Sequence, residues 1–248
     1  MYSDNVFMFY SNKEQNQSPL KTQNNMKNQE LINIVSNKLT LQHRISDVTI
    51  EVFRLFKQIA KDTISELAQH CPRTDTTHGF AYNDRGNFEF EMQFGRDILI
   101  FSMQTDIYEF SRYHEVMKTP YVKEDPSRSF CGMICIYNFL TDSFVYLREN
   151  DLGYMIGRIF VNKEQHYFLE GKREVGLLYN NFNTSILNEE NIRDIIESAI
   201  LYTVNFELLT PPFDETKLVT VSDMKNNYTI KKIPTGKRIG FEFKEDKS

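Results

Sequence analysis

Glu170-Gly171-Lys172 is the sharpest candidate for chemistry in the chain. An acid-x-lysine triplet at a strand end, with a further aspartate on an adjoining strand, is what a metal-dependent nuclease assembles. The carboxylates hold Mg²⁺, and the lysine steadies the attacking water or the developing charge. Tyr167–Leu169 reads as a strand leading into the triplet, and Asp142 or Asp151 lies upstream on a neighbouring hairpin. Asp142, Glu170 and Lys172 would then be the catalytic set, with Mg²⁺ as the cofactor. Chance weakens this assignment. With 34 acids and 17 lysines among 248 residues, about two such triplets arise at random. The pattern recurs at Glu215-x-Lys217, Asp223-x-Lys225 and Glu242-x-Lys244. The central glycine also suits a tight turn between two strands.

Other chemistries leave fainter marks. His70, Cys71 and His78 are close in sequence, and Cys131-x₃-Cys135 has zinc-like spacing. A zinc site usually needs two such pairs, and Cys131 and Cys135 fall in an apolar strand, where free cysteine acts as a small hydrophobe. No metal is expected there. There is no G-x-S-x-G elbow, no phosphate-binding G-x-x-x-x-G-K-[ST] loop and no G-x-G-x-x-G. Gly153 and Gly157 fall inside a strand, where glycine marks a bulge or close packing.

The elements that would position these residues follow from periodicity. From Ser11 to Gln29, nine of nineteen residues are Asn or Gln, so residues 1–27 read as a flexible arm with little apolar surface to offset ordering. Met26, just before the first strong pattern, is an alternative start. Residues 28–248 read as one α+β domain. Leu31, Ile34, Val35 and Leu39 share a helical face. A second helix is expected from about Asp47 to Gln69 on the stripe Val48, Val52, Leu55, Phe56, Ile59 and Leu67, with Phe53 off it, ending at Cys71-Pro72. Phe88, Phe90, Met92 and Phe94 alternate with polar residues as a strand does. Further strands are expected at 79–82, 98–110, 130–140, 143–148, 152–161, 166–170 and 173–179. Short turns between them force antiparallel neighbours. A helix starts at the cap Asn188 and buries Ile192, Ile195, Ile196, Ala199, Ile200 and Thr203. Three weaker strands are expected at 217–221, 228–233 and 237–243. The fold class is thus α+β: a mainly antiparallel sheet of about seven or more strands with helices on one face.

Composition bounds the function. The net charge of −5 argues against nucleic acid, which favours a basic surface. The basic tail, with Lys231, Lys232, Lys237 and Arg238, reads as edge strands kept soluble by charge. No apolar run approaches the length of a membrane span, and three cysteines make no secreted disulfide framework. Abundant Asn, Lys, Phe and Tyr with only four Ala suggest an AT-rich, bacterial genome. With neither a membrane span nor a disulfide framework in prospect, a cytoplasmic protein is expected. The polar connection 111–129 is long for a compact domain, and such loops often carry function. It offers Tyr113, Tyr121 and Arg128 as an interaction surface. The expectation is a non-catalytic intracellular module for a protein partner or small ligand. The alternative is a metal-dependent nuclease of the PD-(D/E)xK type using Glu170 and Lys172.

Overall fold

In a computed structural model of the protein, residues 19–71, 78–171, 181–205 and 221 are described, with only the backbone for residues 19–26. The strands expected at 173–179, 217–221, 228–233 and 237–243 lie outside or almost outside these residues, as does Lys172. No described helix is long and apolar enough to cross a membrane.

The chain divides at Leu41 into two units, Met1–Leu41 and Gln42–Ser248. Helix α1, Pro19–His70, contributes to both. It is one helix where two were expected, and it takes in residues 19–27 of the expected flexible arm. Between Pro19 and Cys71 there is neither glycine nor proline, so nothing breaks the hydrogen-bond ladder once a packed stretch has nucleated it.

The second unit is built on one seven-stranded antiparallel sheet, ordered β1-β2-β3-β5-β6-β7, with β4 pairing to β5. The strands are β1 Phe80–Asp84, β2 Glu89–Phe94, β3 Asp97–Met103, β4 Tyr108–Glu109, β5 Phe130–Leu140, β6 Tyr154–Asn162 and β7 Tyr167–Gly171. Gly86 at φ 103° and Gly95 at φ 64° take the left-handed conformation that the tight β1–β2 and β2–β3 connections require. Period two puts Phe90, Met92, Leu99, Phe101, Ile134, Ile136, Ile159 and Leu169 on one face. Onto that face pack the α1 residues Val48, Val52, Phe53, Phe56, Ile59, Ala60 and Ile64, together with helix α4, Glu189–Val204. Phe53, expected off the stripe, is buried against Phe90 at 5.4 Å between ring centroids. Helix α4 matches expectation in detail: Asn188 caps it by accepting from the Asn191 amide, and all six residues of the expected stripe are buried.

Helix α1 approaches β5 closely. A Cβ on Gly132 would lie 2.2 Å from Thr49 Oγ1 and 2.9 Å from Thr49 Cβ. At the other side of the sheet Lys57 Nζ donates to Asp84 Oδ1 at 2.6 Å and to the Gly86 carbonyl, tying the helix to the β1–β2 turn.

Two segments depart from the expected strands. Residues 143–148 do not form a strand. A one-turn helix α3, Thr141–Val145, takes their place. Alternating Phe144 and Tyr146 suggest a strand, but Thr141 is held by the Arg96 carbonyl through its amide and by the Gly95 carbonyl through its hydroxyl. These tertiary bonds turn the chain away from the sheet and override a weak local preference. The expected strand 98–110 stops at Met103 and resumes only as the two-residue β4.

Two substitutions test the helix–sheet contact. Phe56→Ala removes a fully buried ring and should cost about 3–5 kcal/mol in a denaturant titration; a loss below about 1 kcal/mol would mean that α1 does not bear on the sheet. Gly132→Ala should destabilise by about 1–3 kcal/mol through overpacking, and Thr49→Gly in the same chain should recover most of that loss. No recovery would show that the clash lies elsewhere.

Candidate functional site

Among the described residues, two segments pack on the sheet's second face, opposite α1 and α4: the connection 111–129 and α3. Over β5, β6 and β7 lies the connection 111–129, which folds into two 3-10 turns, Glu115–Lys118 and Pro126–Ser129, around a short helix α2, Pro120–Glu124. Proline at the first helical position and the capping side chains of Thr119 and Asp125 start α2 and the second turn. Val116 and Val122 from this arch, with Phe110 just before it, pack on Cys131, Phe160 and Phe168.

The arch is bolted down by a polar network. Asn162 at the end of β6 is fully buried and uses its whole amide: Nδ2 donates to Tyr121 Oη at 2.9 Å and to the Arg128 carbonyl at 3.3 Å, while Oδ1 accepts the Glu164 and His166 amides. Tyr121 Oη donates to Glu164 at 2.7 Å, and its ring stacks on His166 at 4.4 Å. Burial first, and the Glu164 charge after it, push the Tyr121 phenol well above its ordinary range. Arg128 reaches Glu124, Glu164 and the Tyr121 carbonyl and lies over the Tyr121 ring at 4.3 Å. Of the three residues expected on an interaction surface, Tyr121 and Arg128 are thus engaged within the chain, and Tyr113, 91% exposed, stands in solvent.

The expected nuclease set is dispersed in its pairings. Glu170 lies in β7 and not in a turn, because Gly171 continues the strand opposite Gly157, where a Cβ would meet the Ile156 carbonyl at 2.6 Å. Its carboxylate is bound by Arg158 Nε at 2.6 Å. Asp142 sits in α3 and pairs with His78 at 2.9 Å, and Asp151 accepts from the Ser143 hydroxyl at 2.8 Å. Among the described residues no three His, Cys, Asp or Glu side chains converge on a possible metal position. Cys131 and Cys135 are buried free thiols on the second face. Burial pushes both up in pKa, away from the thiolate that metal binding and nucleophilic attack need.

The remaining second face forms a cleft of about 490 Å³ between the sheet and α3. Ile100 of β3 with Tyr137 and Phe139 of β5 floor it, and Phe144 of α3 stands edge-on to Phe139 at 5.5 Å. Ser102 and Tyr137 bring hydroxyls to the floor, and burial raises the Tyr137 pKa, so the phenol stays protonated. The rim is charged, and both of its arginines are paired. Arg85 contacts Glu91 at 2.6 Å and Glu89 at 3.4 Å and lies over the Phe144 ring. Arg148 faces Asp151 at 3.7 Å. Leu147, on the cleft wall, is 82% exposed and has φ 49°, a left-handed conformation unfavourable for a leucine. Strained backbone of this kind collects at ligand sites. Of these residues the sequence singled out only Asp151, and for a different role. Its one available signal was the apolar run Ile98–Phe101, which leaves Ile100 on the open face.

No family model, curated protein or solved structure matches the chain.

The arch network makes a pH prediction. The hydrogen bonds from Lys163, at 2.5 Å, and from Ser127 hold the Asp125 carboxyl at about 2, below its ordinary 3.8. A depressed carboxyl contributes stability above its unfolded pKa and loses it as pH falls through the folded one. Asp125→Asn should therefore be less stable than wild type at neutral pH, and the gap should close between pH 3.8 and about 2. Urea titrations across that range test this; a constant gap would mean that the charge of Asp125 contributes nothing.

Proposed function

We propose that the chain is a non-catalytic binding module whose ligand is a small, largely apolar molecule with a polar end, seated in the cleft between α3 and the open sheet face. The observation that carries this is the cleft itself. Its volume of about 490 Å³ falls within the roughly 300–1,000 Å³ of ligand sites, and it combines an apolar floor with a few polar groups, as such sites do. The rim arginines already have carboxylate partners, so the site favours a ligand whose apolar body supplies most of the affinity. Phe144 and Tyr137 offer ring faces and edges to a flat or chain-like body, while Ser102 and Tyr137 hydroxyls meet its polar end. An intracellular setting agrees with the free thiols of Cys71, Cys131 and Cys135. The nuclease alternative gains no support: Glu170 and Asp142 are each bound to a different cation-forming side chain.

The absence of tryptophan makes a clean test. Ser102→Trp fills the cleft and places a single indole there. Wild type should bind the aromatic sulfonate 1-anilinonaphthalene-8-sulfonate saturably and with blue-shifted emission. The filled variant should bind it at least about tenfold more weakly, since a bulky side chain takes the ligand's volume. Its thermal midpoint should stay close to wild type. Equal binding by both proteins, or no saturable binding to the wild type, would overturn the assignment.

A further inference from the structure

We propose that Phe139 limits the length of ligand that the cleft admits, and that Gly153, by lacking a side chain, holds the ring in that position. This rests on the cleft being the ligand site. Strand register lays out its floor in rows that cross the sheet. Ile98 of β3 pairs with Phe139 of β5, Ile100 with Tyr137, and Ser102 with Cys135. These residues lie two apart along each strand, so their side chains share the second face, with successive rows about 7 Å apart. The cleft takes Ile100, Tyr137 and Ser102 from two of the rows, but only Phe139 from the first. Phe139 therefore ends the floor beside α3. Ser102 brings its hydroxyl from the third row, about 14 Å along the strands.

Unequal neighbours on the two flanking strands fix the ring. On the β3 side stands Ile98, branched and 4% exposed. On the β6 side the register of Tyr137 with Met155 and Asn138 with Tyr154 continues to set Gly153 opposite Phe139. The ring lies where a side chain at 153 would be: a Cβ there would come within 2.2 Å of the ring's Cε1 and Cζ and 2.6 Å of its Cδ1. Phe144 meets the ring edge-on from α3. A side chain at 153 would drive the ring off β6. Ile98 closes one retreat and Phe144 another, so the ring would swing over the floor toward Tyr137 and shorten the cleft. Cutting the ring away would lengthen it. The ligand class sharpens accordingly. The polar end lies toward Ser102 and the apolar end meets Phe139. Two fused rings or a medium alkyl chain fit between those rows, whereas a long acyl chain runs into the ring.

Displacement of 1-anilinonaphthalene-8-sulfonate from the full chain by straight 1-alkanols, from butanol to dodecanol, reads the limit. In wild type each added methylene should strengthen binding about fourfold until the chain meets Phe139, and the affinity should then level off. Phe139→Ala should carry the rise to longer chains, with about a fourfold gain for each further methylene admitted. Gly153→Ala should bring the plateau to shorter chains, and adding Phe139→Leu should move it back. The position of the plateau follows the length of the cleft, not the stability lost with either residue. A rise that continues through dodecanol in wild type would overturn the proposal. So would one plateau shared by wild type and Phe139→Ala, and if Ser102→Trp still blocked the dye, the cleft would stand without this limit. A wild-type plateau in Gly153→Ala would overturn the role of Gly153. If that variant folds too poorly to titrate, Phe139→Ala still decides the limit. Absence of saturable dye binding by wild type would remove the cleft reading and this inference together.

Discussion

Phe90 and Phe101 lie face to face across β2 and β3, with ring centroids 4.7 Å apart and planes within 6°. Phe53 and Phe56 of α1 press on that pair from above. The domain depends on this contact between four aromatic rings. It sets the height of the helix over the sheet, and the missing side chain at Gly132 lets the helix keep that height one strand further on. A helix so bedded buries the apolar residues of the sheet's first face. Among the described residues, α4 shares that face, and the elements on the second face are short.

This asymmetry explains where a ligand site can form. The first face, packed by α1, leaves only a small cavity of about 110 Å³ beside Thr49 and Gly132 among the described residues, and the arch over Cys131, Phe160 and Phe168 closes its own end of the second face with a second aromatic cluster. Among the described residues, the end under α3 holds the cleft. There the chain leaves β5, turns on Thr141 and returns through the strained Leu147 before entering β6. A connection that carries a leucine at positive φ costs stability, and the loop keeps it while presenting the leucine to solvent.

Much of the fold was legible in the sequence because its signals were strong and local. The alternation of Phe88 to Phe94, the unbroken run 130–140, the Asn188 cap and the isoleucine stripe behind it each state an element and a buried face. The failures have physical causes. Ser143–Arg148 alternates like a strand, but two hydrogen bonds at Thr141, from partners nearly fifty residues earlier, decide its shape. The polar start of α1 looked too hydrophilic to order, yet it is carried as the extension of a helix stabilised further on. Tyr121 and Arg128 have interface chemistry, but the same capacity for stacking and forked hydrogen bonding serves the arch itself. The cleft was invisible for a different reason. Arg85, Ile100, Tyr137 and Phe144 come from four elements and converge only when the register of β2, β3 and β5 is known.

Asn162 gives the arch a property that its sequence does not suggest. One amide side chain holds the arch through Tyr121 and Arg128 with its nitrogen and holds the β6–β7 turn through two backbone amides with its oxygen. Lifting the arch strips Asn162 of its donors' partners, and opening the turn strips it of the rest. Because a buried amide left half-bonded is costly, the two segments share a single opening event. Their backbone amides should exchange with solvent deuterium as one cooperative group, although some thirty residues of chain separate them.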